Sequence, residues 1–191
     1  MSDRLKEQIR AYRPVNEQEE RDKELILRCL VTEKDIFTRE NHLAHMTASA
    51  WIVNEQRTKV LMAYHNIYKS WSWLGGHADG ETDLLKVALK EAREESGILH
   101  VKPVSEELYS LEVLTVDGHV KKGAYVSSHL HLNVTYLLQA EETDALHIKE
   151  DENSNVAWFP LEEAVAASTE PWFQEHIYCK LNEKLNYWNL K

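Results

Sequence analysis

The stretch from Gly75 to Ile98, GGHADGETDLLKVALKEAREESGI, constrains this chain more than any other segment. Paired glycines permit a tight backbone turn that bulkier residues resist. Thr82 is a candidate cap for a helix running from Asp83 to about Ser96, and Gly97 stops it. On a helical wheel Leu85, Ala88, Leu89, Ala92 and Ser96 share a side roughly 100° wide, which predicts a buried stripe. Lys86, Lys90 and Arg93 fall opposite, and Glu91, Glu94 and Glu95 fill a third arc. Carboxylates at i, i+3 and i+4 repel one another, and the last turns of a helix disfavour negative charge. The arrangement costs stability unless a cation is held there, and hard oxygen donors suit Mg²⁺ or Mn²⁺. The bland alternative is a solvated acidic helix end, softened by Lys90 four residues before Glu94.

Strand-like and helical segments surround this unit. Leu5, Ile9 and Tyr12 recur at helical spacing before Arg13-Pro14 interrupts. Asn16 with Glu19 forms a plausible capping pair ahead of Leu25, Ile26 and Leu30, so two N-terminal helices are expected up to about residue 33. Ala48 to Val53, a turn at 54–57, and Val60 to Tyr64 read as a hairpin. Residues 66–73 read as an aromatic loop. Leu108 to Val116 is strand-like and ends at the turn signal Asp117-Gly118. Leu130 to Leu138 alternates as a strand, residues 141–154 form an acidic loop, and Val156 to Phe159 is a short strand closed by Pro160. Helices follow over Leu161 to Ala167 and Trp172 to about Trp188. The alternation predicts an α/β (α+β) sandwich, with residues 1–45 as a helical extension and 46–191 as the main domain.

Charge and cysteine usage exclude several function classes. A net charge of −10 over 191 residues lacks the basic footprint of a DNA- or RNA-polymer binder. An acidic protein still binds phosphates where a cation bridges carboxylate and ligand. Cys29 and Cys179 form no CxxC pair, so neither a disulfide framework nor a zinc knuckle is expected. The charged N-terminus does not read as a signal peptide, no apolar run is long enough to span a membrane, and a cytoplasmic location is expected.

The glycine-flanked segment resembles the Nudix box, a glycine-led turn and a helix carrying REUxEExGU, where U is a bulky aliphatic. Gly76 matches the leading glycine, Glu91 the glutamate of the RE pair, Glu94 and Glu95 the EE pair, and Gly97 and Ile98 the closing GU. Thr82 stands where the first glutamate is expected, with Glu81 just before it; Lys90 replaces the arginine, and Leu74 the frequent proline. A turn shortened by one residue would let Glu81 take the first glutamate's place. Trp71-Ser72-Trp73 ahead of the glycines, and Trp158-Phe159-Pro160-Leu161-Glu162-Glu163 ahead of the penultimate helix, extend the likeness over roughly residues 46–170. The resemblance implies an α/β/α sandwich with a mixed sheet.

It also implies a metal-dependent hydrolase that cleaves a diphosphate linkage in a nucleoside-diphosphate-X type substrate by attack of activated water. Glu91, Glu94, Glu95 and the Gly75 carbonyl are then the expected ligands of Mg²⁺ or Mn²⁺. Glu94, Glu95 and Glu152 are the expected catalytic groups, with Glu152 preferred over Glu150 as a base from the later loop. His77, Trp73, His129 and His131 are candidate substrate contacts. His129 and His131 share a strand face with Asn133, which also suits ordinary polar sheet positions. Tyr68 and Trp71 are further stacking candidates, at least one aromatic being core. Lys121 and Lys122 could attract phosphates; Arg39, His42 and His45 carry no assigned role. The N-terminal helices cover the site or build a homodimer. A non-catalytic nucleotide-sensing module is the second reading. An isopentenyl-diphosphate isomerase ranks lower, because neither cysteine is suitably placed.

Overall fold

The computed structural model describes residues 2–121 and 123–188. Six α-helices and ten strands are present among them. The helices are α1 (Ser2–Ala11), α2 (Glu17–Thr32), α3 (Leu84–Ser96), α4 (Leu161–Ala167), α5 (Pro171–Phe173) and α6 (Cys179–Trp188), with a π-helical stretch, Gln174–Tyr178, joining the last two. The strands are β1 (Ala44–Val53), β2 (Lys59–His65), β3 (Ser70–Ser72), β4 (Leu74–His77), β5 (Val101–Pro103), β6 (Ser110–Val116), β7 (His119–Lys121), β8 (Ala124–Val126), β9 (His129–Ala140) and β10 (Asn153–Pro160). Eight strands form one mixed sheet in the hydrogen-bonded order β10-β2-β1-β9-β5, with β3 on β2, β4 on β1 and β6 on β9; β7 and β8 make a separate hairpin.

The chain forms two compact units, residues 1–49, 75–88 and 106–136, and residues 50–74, 89–105 and 137–191. In the first unit the alternation of β1 sends His45, Thr47 and Ser49 to one face, and β9 sends His129, His131, Asn133 and Thr135 likewise. Much of that face is buried and polar. Thr47 and Ser49 donate to Asn133 Oδ1 at 2.9 and 3.0 Å, and Asn133 Nδ2 donates to Glu112 at 3.0 Å. Such a layer is stable only because each polar group finds a partner.

Helix α2 docks on β6 through carboxylates. Glu19, fully buried, accepts from Tyr12 Oη (2.7 Å), Val15 N (3.0 Å) and Ser110 Oγ (2.9 Å). Burial, then the Glu19 charge, hold the Tyr12 phenol protonated far beyond its ordinary range. Asn16 caps α2 by accepting from Glu19 N at 3.0 Å, as its residue type predicts. Its expected reciprocal partner bonds one residue earlier, at Val15, because Glu19 is drawn inward to Tyr12 and Ser110. An amide oxygen cannot replace both carboxylate oxygens here. Glu19→Gln is therefore expected to lower unfolding free energy by about 1–2 kcal/mol, read from urea denaturation midpoints at unchanged m-value.

In the second unit β2 pairs antiparallel with β10, from Asn153↔His65 to Pro160↔Lys59. Trp51 is fully buried and stacks on Tyr178, ring centroids 5.5 Å apart. Trp71 lies edge-on to Phe159 at 4.7 Å, which makes it a packing residue.

Several expectations are corrected. The aromatic loop at 66–73 contains β3 and leads into β4, because Gly75 brings its backbone against β1: a Cβ there would lie 2.5 Å from the Ala48 carbonyl oxygen. Asp117-Gly118 does not close a hairpin onto the next strand. β6 pairs instead with β9, from Ser110↔Thr135 to Val116↔His129, with the β7–β8 hairpin between them. The final helix is interrupted by its π-helical stretch. The buried face of α3 is rotated from the predicted stripe: Leu84, Val87, Ala88, Ala92 and Ser96 are buried, while Leu85 and Leu89 are half-exposed. Lys122 lies outside the described residues. No helix among the described residues is long and apolar enough to cross a membrane.

Candidate metal centre

The rotation of α3 has a chemical result: Glu91 and Glu95 turn inward, 7% and 8% exposed. Buried carboxylates need a compensating partner. Glu152 supplies a third carboxylate, and one oxygen from each of Glu91, Glu95 and Glu152 lies within 4.8 Å of the others. Three carboxylates this close repel strongly, and the cluster is a hard-oxygen donor set of the type that holds Mg²⁺ or Mn²⁺.

Glu152 is brought there by the end of α3. The last carbonyls of a helix lack internal partners. Asn153 Nδ2 donates to the Glu95 carbonyl at 2.9 Å, and His147 N donates to the Ser96 carbonyl at 2.8 Å. The Lys149 carbonyl accepts from both Glu152 N and Asn153 N at 2.8 Å, closing the turn that carries Glu152. Gly97, at φ +77°, ends the helix in the left-handed region and leaves room for His147, whose Cβ would lie 2.9 Å from an added Cβ.

Lysines border the acids. Lys90 Nζ lies 3.1 Å from Glu91 and 3.3 Å from Glu94. Lys149 Nζ lies 3.0 Å from Glu152 and 3.8 Å from Glu94. The hydrogen bond to Glu91 is the main cause holding the Lys90 ammonium above its ordinary range. Burial pulls Lys149 down, but Glu152 and the fields of Glu91 and Glu94 outweigh it, so its net shift is also upward. Glu94, half-exposed between the lysines, is not a member of the close triple.

Glu81 carries the turn before α3. One of its oxygens accepts from Thr82 N and Asp83 N, both at 2.8 Å. The α-helix begins at Leu84, so Glu81 rather than Thr82 satisfies the amides ahead of it.

Trp73, Glu91, Glu94, Glu95 and Glu152 belong to the second unit; Gly75, His77, His129 and His131 belong to the first. Trp73 is half-buried, edge-on to Phe173 at 6.2 Å and to Tyr178 at 6.0 Å. Within the first unit His77 and His131 lie 4.8 Å apart by ring centroid, and His129 and His131 5.1 Å. His45, which sequence reasoning left without a role, is in β1 and stands 5.1 Å from His77, 4.8 Å from His129 and 5.0 Å from His131. Strand alternation carries the signal for this cluster, but only once His45 is recognised as lying within β1. Burial, followed by the fields of His77, His45 and His129, pushes the His131 imidazole down to about 2. Burial lowers His45 as well.

A family model described as NUDIX domain matches residues 43–181. The fold is similar to several solved structures. The binary complex of a C. elegans Ap4A hydrolase is 18% identical, with 76% of this chain and 97% of that chain covered and a TM-score of 0.54. A NUDIX-family hydrolase from Clostridium perfringens is 22% identical, covering 75% and 97%, with a TM-score of 0.53. The MutT protein from Methanosarcina mazei Go1 is 16% identical, covering 78% and 97%, with a TM-score of 0.54. At these identities the likeness is one of fold. No curated protein matches the chain.

Proposed function

The chain belongs to the NUDIX family, and from that premise we propose that it hydrolyses a diphosphate linkage in a small nucleoside-diphosphate-X type substrate at the Glu91, Glu95 and Glu152 cluster. Membership makes it a Nudix-type pyrophosphohydrolase, an enzyme of phosphoric anhydride bonds. The observation that carries the site is the convergence of those carboxylates within 4.8 Å, two of them buried.

The donor chemistry fits Mg²⁺ or Mn²⁺, with Glu91 and Glu95 as the holding carboxylates. Glu94 is the further oxygen donor proposed for the same ion. A divalent cation, when bound, neutralises phosphate oxygens and makes a water more acidic. Glu152 then accepts the proton of the attacking water. The water oxygen bonds to phosphorus, the bridging P–O bond breaks, and the bridging oxygen leaves on the other phosphate. Trp73 is proposed as a stacking face for the base. We take residues 46–191 as the hydrolase domain and 1–45 as a helical extension, place the protein in the cytoplasm, and propose a homodimer, which sedimentation equilibrium checks.

The test is phosphate release from a panel of nucleoside triphosphates, dinucleoside polyphosphates and nucleotide sugars, with and without Mg²⁺ or Mn²⁺. Turnover that requires the cation is expected on at least one class. Nucleotide binding by the folded chain with no turnover on any class contradicts the proposal and supports a sensing module.

A further inference from the structure

We propose that His45, His77 and His131 form a second metal site, which takes a late first-row transition cation such as Zn²⁺ through imidazole nitrogens. One ring nitrogen from each lies within 4.8 Å of the others. That spacing brings three donors around a single ion with only small side-chain movement. The donors are nitrogen rather than oxygen, so the preference runs to Zn²⁺, Co²⁺, Ni²⁺ or Cu²⁺ and away from Mg²⁺.

His45 is the strongest indicator. It is 4% exposed, and its Nδ1 lies 3.1 Å from the Asn41 carbonyl oxygen. A carbonyl only accepts, so Nδ1 carries the proton and Nε2 keeps its lone pair. That Nε2 is buried without a hydrogen-bond partner. A buried acceptor without a partner is costly, whereas a backbone-oriented imidazole with its second nitrogen free is the usual arrangement of a metal-ligating histidine. Helical or apolar packing does not explain it, because the surrounding rings are themselves imidazoles.

His129 supports the same reading. Its Nδ1 lies 2.8 Å from the Ser127 carbonyl, which again leaves Nε2 as the acceptor. That Nε2 faces His131 Nε2 at 3.3 Å. With His131 Nε2 donating to His129 Nε2, the lone pair of His131 is on Nδ1. The fixed charges facing the cluster are Arg39 and Asp79, and they form an ion pair with each other at 2.6 Å. The site would link β1 and β9 with β4, which ends at His77.

The test uses the full, untagged chain stripped with a chelator. Isothermal titration with Zn²⁺ is expected to show a site that survives Glu95→Gln and weakens at least about a hundred-fold in His45→Gln and in His131→Gln. Far-UV circular dichroism checks that each variant folds. Independently of any variant, X-ray absorption of the Zn²⁺-loaded native chain is expected to show imidazole scattering. A shell of oxygen donors only, or equal Zn²⁺ affinity in the folded histidine variants, overturns the proposal. Loss of Zn²⁺ binding in Glu95→Gln alone assigns the ion to the carboxylates and overturns it too.

Discussion

Glu95→Gln is expected to lower kcat/KM by about 10²–10⁴-fold with the fold intact. The amide keeps the size of the side chain and one acceptor oxygen, but removes a charge from the centre of a cluster of three. Glu95 is 8% exposed and shares a 4.8 Å sphere with Glu91 and Glu152. Relieving carboxylate repulsion at a helix C-terminal end favours the folded state. The variant is therefore expected to melt no lower than the native chain. Glu152→Gln is expected to separate the roles. Losing a base flattens the acidic limb of the pH–rate profile while most Mn²⁺ affinity remains, whereas Glu95→Gln weakens Mn²⁺ binding directly. Equal activity of Glu95→Gln and the native chain at saturating Mn²⁺ refutes the assignment.

The second large effect is expected at Gly97. Its φ of +77° lies where L residues are strained, and an added Cβ would approach His147 Cβ, Cδ2 and N at 2.9–3.0 Å. Left-handed strain of about 1–2 kcal/mol and overpacking of about 1–3 kcal/mol act together. Gly97→Ala is thus expected to destabilise the chain by about 3 kcal/mol. The added group also pushes on the residue whose amide bonds the Ser96 carbonyl, in the loop that carries Glu152. Turnover should fall further than in a surface variant of equal stability loss. Thermal denaturation together with kcat/KM below the melting range checks both parts. Unchanged stability shows that the loop yields freely, against the geometry described.

How much of this was legible in the residues depends on the range of the signal. The helix α3, its stop at Gly97 and α4 could be read locally, because spacing and end residues are properties of neighbouring positions. Its buried face lies part of a turn from the one that spacing predicts. Leu84 and Val87 take the buried positions instead of Leu85 and Leu89, and Glu91 and Glu95 turn inward with them, which hydrophobicity alone does not register. Residues 44–47 of β1 do not read as strand because His45 and Thr47 are polar residues on a buried face, where sheet faces are ordinarily apolar. β4 was hidden because glycine disfavours strands, yet Gly75 is needed for the close approach to Ala48 and Ser49. The acidic loop gave two candidates, Glu150 and Glu152. Only the bonds from His147 N and Asn153 Nδ2 to the end of α3 distinguish them. The histidine cluster draws on three strands far apart in sequence, so no local pattern could assemble it.

The central claim is that the carboxylates of Glu91, Glu95 and Glu152 direct water onto a phosphoric anhydride. The most direct measurement is hydrolysis of the best panel substrate in heavy-oxygen water with Mg²⁺, analysed by mass spectrometry of both products. Label on a single phosphate product, in turnover that Glu95→Gln abolishes, is the predicted result. Product formed without label, or labelled equally by Glu95→Gln, contradicts the account.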